Sequence, residues 1–99
     1  MMTDKPILLA IDGDRFDSID ELHRWIQERL NFPDYYGGNA DALWDSLTDL
    51  LYSQQSVEVT WASFNSSRAR FGQSAEVLRD TFIDAAKRFP TRATVIISP

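Results

Sequence analysis

The sequence predicts an α/β fold, a three-stranded parallel sheet packed by about four helices, and three observations predict it. Apolar stretches of strand length stand at residues 7–11, 57–61 and 93–97. Segments with helical periodicity fill both intervals between them. Those intervals are long enough for crossover connections, which parallel strands require and hairpins do not. At 99 residues the chain is sized for one core, and a single domain over residues 1–99 is expected, with no internal repeat and no linker.

Ile7-Leu-Leu-Ala-Ile11 is a continuous apolar run closed by Asp12-Gly13, which reads as a buried strand ending in a tight turn. Ser18-Ile-Asp-Glu21 has capping-box spacing, so a helix should follow from about Ile19 to Leu30 with Ile19, Leu22, Ile26 and Leu30 on one face. Pro33 biases Phe32 away from helical angles, and Gly37 and Gly38 permit positive φ, so residues 31–38 form a loop. Asn39 is suited to cap a second helix running to about Leu51. Val57, Val59 and Trp61 alternate with Glu58 and Thr60, the period of a strand with unlike faces. A short helix is expected over 63–70, ending near Gly72. Ser74 can then cap a longer helix to about Arg88, with Val77, Leu78, Phe82, Ala85 and Phe89 inward. Ala93-Thr-Val-Ile-Ile97 is apolar enough to be read as a last strand buried on both faces.

Composition excludes several function classes. The absence of cysteine removes disulfides, thiolate metal sites and a Cys nucleophile. The longest apolar run near the N-terminus is too short for a secretion signal or a membrane span, so a cytoplasmic protein is expected. A net charge of −5 repels phosphate backbones and anionic membranes, which argues against nucleic acid or membrane as the partner and for a basic one. The charge is also lopsided. Residues 1–50 hold 11 acids and 4 bases, and no Lys or Arg occurs between Leu30 and Ser67.

That cation-free stretch contains the densest signal, Tyr35-Tyr-Gly-Gly-Asn-Ala-Asp-Ala-Leu-Trp-Asp45. At about 100° per residue, Asp41, Asp45 and Asp49 fall within about 80° of arc, opposite a broad apolar face of Leu43, Leu47, Leu50 and Leu51. Like charges four residues apart cost a few tenths of a kcal/mol, and no neighbouring base offsets them. Such acids read equally as a solvated face. Their coincidence with Tyr35, Tyr36 and Trp44 favours a patch with aromatic anchors that receives a cationic, concave partner.

The run Pro33-Asp-Tyr-Tyr-Gly-Gly-Asn-Ala-Asp-Ala-Leu-Trp-Asp45 closely resembles the signature of the barstar family, intracellular inhibitors of barnase-type guanyl-specific ribonucleases. The resemblance extends to the Ser18-Ile-Asp-Glu-Leu-His23 helix opening, the strand ending at Trp61, the Ser74 to Lys87 helix and the terminal Val95-Ile-Ile-Ser98. It implies a barstar-like fold and an inhibitor rather than an enzyme, with no cofactor and no metal. In that family the second helix and the loop before it plug the ribonuclease pocket that holds the RNA phosphate. Carried over by motif, Asp45 resembles the carboxylate that mimics phosphate. Asp41 resembles a second acid aimed at the basic rim, and Tyr35 the aromatic that covers the catalytic histidine. Gly37 and Asn39 resemble contacts at the helix start, and Asp84 a peripheral acid. Tyr36, Gly38, Trp44 and Asp49 complete the expected partner-binding set.

Departures from the family pattern are local. Gly38 replaces an acid, Ala40 a larger aliphatic residue, Leu50 a tryptophan and Asp49 a small residue; Arg88 stands where another acid is familiar. These leave an alternative in view, a barstar-like adaptor that binds another basic protein without inhibiting a nuclease. The free protein is expected to be a monomer. Asp12-Gly-Asp14 with Asp17 departs from a calcium loop at its sixth and twelfth positions. His23 has no local catalytic partner and is assigned to surface or helix packing. Arg68, Arg70, Arg79, Arg88 and Arg92 read as a solvated surface that spreads positive charge away from the acidic stripe.

Overall fold

The computed structural model describes residues 5–99; the first four residues of the expected 1–99 domain lie outside the described residues. The element order is β1 (Ile7–Asp12), α1 (Ile19–Arg29), α2 (Ala40–Tyr52), β2 (Val57–Ala62), α3 (Phe64–Phe71), α4 (Gln73–Arg88) and β3 (Ala93–Ile97). The three strands form one parallel sheet in the order β1-β2-β3. In register, Leu9 faces Val59 and Val59 faces Val95. The expected α/β architecture with a parallel sheet and four helices is therefore what the chain adopts.

Strand order explains one departure from expectation. With β1, β2 and β3 progressing in a single direction, two crossovers of the same hand, as parallel strands favour, place their helices on the same face of the sheet. Leu9, Ile11, Val57, Val59, Trp61 and Ala93 point into that covered face and are buried. On the opposite face Leu8 is 65% exposed and Ile96 52% exposed, beside Ala10, Thr60 and Thr94. Neither β1 nor β3 is buried on both sides, so their unbroken apolar runs misled. β3 is an edge strand, and only alternate residues of it reach the core.

The helices carry the remaining core. Leu22, Ile26 and Leu30 of α1 and its cap, Leu43, Leu47 and Leu51 of α2, and Ala75, Leu78, Phe82 and Ala85 of α4 close over the sheet around Trp61. α1 begins as its capping residues require, with the Ser18 hydroxyl accepting from Glu21 N at 3.0 Å. The Glu21 carboxylate in turn accepts from Asp17 N. The start of α4 differs from expectation. Its N-cap is Gly72, at φ +60 and without a side-chain cap, so Ser74 lies within the helix. Val77, expected inward, is 41% exposed because Leu78 and Phe82 take the buried arc.

Gly13 fixes how β1 meets the start of α3. Its amide donates to Ala62 O at 2.8 Å, and a Cβ there would collide with the backbone oxygen of Ser63. Below it, Trp61 Nε1 donates to Ser67 Oγ and Ser67 Oγ donates to Gly13 O, each at 3.0 Å. This buried relay satisfies the indole N–H that a core tryptophan brings with it.

Candidate protein-binding site

α2 and the loop that precedes it form one surface. Asn39 Oδ1 accepts from Ala42 N at 2.8 Å, which starts the helix immediately after the glycine pair. Gly38 adopts φ +67, a conformation disfavoured for residues with a Cβ, and so turns the chain into Asn39. Because Leu43, Leu47, Thr48 and Leu51 are buried, the remaining arc of α2 is turned outward. Asp41, Asp45 and Asp49 are exposed along it. Among the described residues, none of the three carboxylates takes part in an ion pair or a side-chain hydrogen bond.

The aromatic residues near these acids divide into two kinds. Tyr35 is 86% exposed and available to a partner. Tyr36 is half-buried, with its ring against Phe32 and its hydroxyl 2.7 Å from Nδ1 of His23. Trp44 is also half-buried and packs against the core. The expected exposed cluster of three aromatics is thus narrower: one free ring, with two that brace the surface beneath it. His23 is only 5% exposed, and burial lowers its pKa, partly opposed by the charge of Asp20. Burial likewise raises the pKa of the Tyr36 phenol. Both shifts favour the neutral forms of the two groups.

Between the loop and α2 lies a groove of about 290 Å³, lined by Phe32, Pro33, Tyr35, Asp45, Asp49 and Leu50 among others. Its floor is apolar and its helical rim carries two carboxylates. A second hollow of about 300 Å³ opens beside the start of α2, where the short side chain of Ala40 borders Ile19, Asn39 and Val77. Asp84 is exposed on α4, which packs against α2. The structure therefore brings Tyr35, Gly37, Gly38, Asn39, Asp41, Asp45 and Asp49 together on α2 and its loop, with Tyr36 and Trp44 supporting them and Asp84 on the neighbouring helix.

The chain matches the model of the family described as Barstar (barnase inhibitor) over residues 7–97, all but a few residues of its length. It belongs to the barstar family. A Bacillus subtilis (strain 168) protein named "Putative ribonuclease inhibitor YrdF" is 33% identical to it over 89 residues, covering 90% of this chain and 96% of that protein. Barstar-family membership accords with the sheet, the helix order and the loop motif described above. Among the described residues, no helix is long and apolar enough to cross a membrane.

Arg88 departs from the expectation that the arginines keep away from the acidic stripe. It donates from Nη2 to the Tyr52 hydroxyl at 2.8 Å, at the C-terminal end of α2. Tyr52 had no place in the site predicted from sequence. No local pattern could have found this contact, since the two residues are 36 positions apart.

Proposed function

We propose that this protein inhibits a basic, barnase-type guanyl-specific ribonuclease by seating α2 and the preceding loop in the enzyme's active site. One observation carries the reading. Asp41, Asp45 and Asp49 stand exposed in a row, and no cation of the described chain neutralises them. Free carboxylates on one rigid helix can accept charge-assisted hydrogen bonds from the arginine, lysine and histidine groups that otherwise hold RNA phosphate. Asp45 is the phosphate mimic in this scheme, Asp41 meets the basic rim, and Tyr35 covers the catalytic histidine. Gly37, Gly38 and Asn39 bring backbone and amide groups against the enzyme. Asp49 adds a charge for a basic group farther along α2, and Asp84 an outlying one. The inhibitor performs no chemistry. It occupies the site and excludes the substrate.

The name of the Bacillus subtilis relative and the family's description support this reading. The deciding experiment is a ribonuclease-inhibition assay with a barnase-type enzyme, repeated with Asp45→Ala. Stoichiometric inhibition that the substitution weakens is the expected result. Absence of inhibition, with binding to another basic protein instead, would replace this reading with that of an adaptor.

A further inference from the structure

Arg88 makes contacts that helix stability alone does not require. It is the last residue of α4, so its charge complements that helix's C-terminal dipole. Asp84 stands one turn earlier on the same helix, a spacing at which an acid and a base commonly pair. They do not pair here. The guanidinium instead donates to the Tyr52 hydroxyl at 2.8 Å. Its Cζ lies 5.9 Å from the Tyr52 ring centroid and 5.5 Å from that of Phe89. Tyr52 and Phe89 themselves meet edge to face at 4.8 Å. The guanidinium thus lies against two aromatic rings, Tyr52 and Phe89, and bonds to the hydroxyl of the first.

This arrangement fixes the cation without using it up. A guanidinium has five N–H donors, and among the described residues Arg88 places one of them on a side chain. Arg88 and Tyr52 are both exposed. Tyr52 follows Asp49 by three residues on α2, so the pair stands at the end of the row formed by Asp41, Asp45 and Asp49. The charge of the surface therefore changes sign within one helical turn.

We infer that Arg88, positioned by Tyr52, is a specificity-determining contact of the proposed interface, and that the partner ribonuclease presents a carboxylate opposite it. The inference rests on the proposed inhibitory function. It adds that the partner's surface is basic along most of α2 and acidic at the edge facing Tyr52. A planar, pre-positioned guanidinium recognises a carboxylate through paired N–H groups, and a basic rim at that edge would be repelled.

The test uses a panel of barnase-type ribonucleases and begins with the one that the wild-type protein inhibits most tightly. Arg88→Glu should weaken inhibition of that enzyme about tenfold, since an exposed attraction is lost and a repulsion replaces it. Arg88→Ala should weaken it by a smaller factor. Tyr52→Phe, which removes only the phenol that holds the guanidinium, should also weaken it. Arg68→Glu on α3 makes the same change in net charge and serves as the control; it should have little effect. Equal effects of Arg88→Glu and Arg68→Glu would show that Arg88 is no contact. Tighter inhibition by Arg88→Glu would overturn the opposing carboxylate. If no enzyme of the panel is inhibited by the wild type, the ribonuclease reading itself fails and this inference with it.

Discussion

The Tyr36 hydroxyl lies 2.7 Å from Nδ1 of His23, joining the loop before α2 to a buried position on α1. That bond, together with the contact of Tyr36 against Phe32, holds the loop from below while Tyr35 is left free above. The loop of the candidate surface is thus braced by a buried residue of a different helix. Pre-organisation of this kind reduces the ordering cost of association.

The His23 contact makes stability sensitive to pH. Burial lowers the folded-state pKa of His23 below its unfolded value of about 6.5, so the unfolded chain binds the proton more readily. The stabilisation is complete above about pH 6.5 and is lost as pH falls from there through the folded pKa. Urea midpoints measured between neutral and mildly acidic pH should fall with pH, and His23→Gln should reduce that dependence. A variant with the same pH profile as the wild type would remove His23 as the cause.

Asp45 and Asp49 should differ in their cost to binding. In the proposed complex Asp45→Ala should leave cations of the enzyme pocket desolvated and unpaired, a loss of about 1–3 kcal/mol, or roughly five- to 150-fold in affinity. Asp49→Ala removes a charge farther along α2 and should cost about 1 kcal/mol or less. Dissociation constants by calorimetry check the order; equal, small effects would reject the residue assignment.

Association should be fast at low ionic strength and slow as salt rises, because an acidic surface meets a basic one over distances that salt screens. Stopped-flow association rates measured across a salt series test this. A rate independent of salt would exclude steering by the row of acids.

The relay beneath Gly13 should be costly to disturb. Ser67→Ala strands the buried Trp61 indole N–H and should destabilise by about 1–3 kcal/mol. Gly13→Ala places a methyl group against backbone oxygens rather than a flexible side chain, which should cost about as much. Denaturant unfolding of both variants measures the effect. Neither substitution touches the acidic surface, so binding by the folded fraction should persist.

Several features of the fold and the site are legible in the sequence for identifiable reasons. The Ser18 and Asn39 caps act within three residues of themselves, so their spacing announces the starts of α1 and α2. The outward set of Asp41, Asp45 and Asp49 follows from helical period and the buried leucines between them. Gly72 displaced Ser74 as the cap of α4 because a glycine at positive φ ends α3 and begins α4 at the same position. The open face of the sheet was hidden because apolar content says how readily a strand can be buried, not whether a helix crosses over it.

By itself the sequence determined the local elements, the acidic face of α2 and the lack of Lys and Arg in the stretch of chain that carries it, since each depends on periodicity or composition over a few turns. Tertiary structure alone decided which face of the sheet is covered, that Tyr36 turns inward to His23 while Tyr35 stays out, and that Arg88 reaches Tyr52 in preference to Asp84. Those outcomes depend on strand order and on residues brought together from distant parts of the chain. Pairings of that kind leave no local pattern, because their energy comes from packing that exists only once the helices have closed over the sheet.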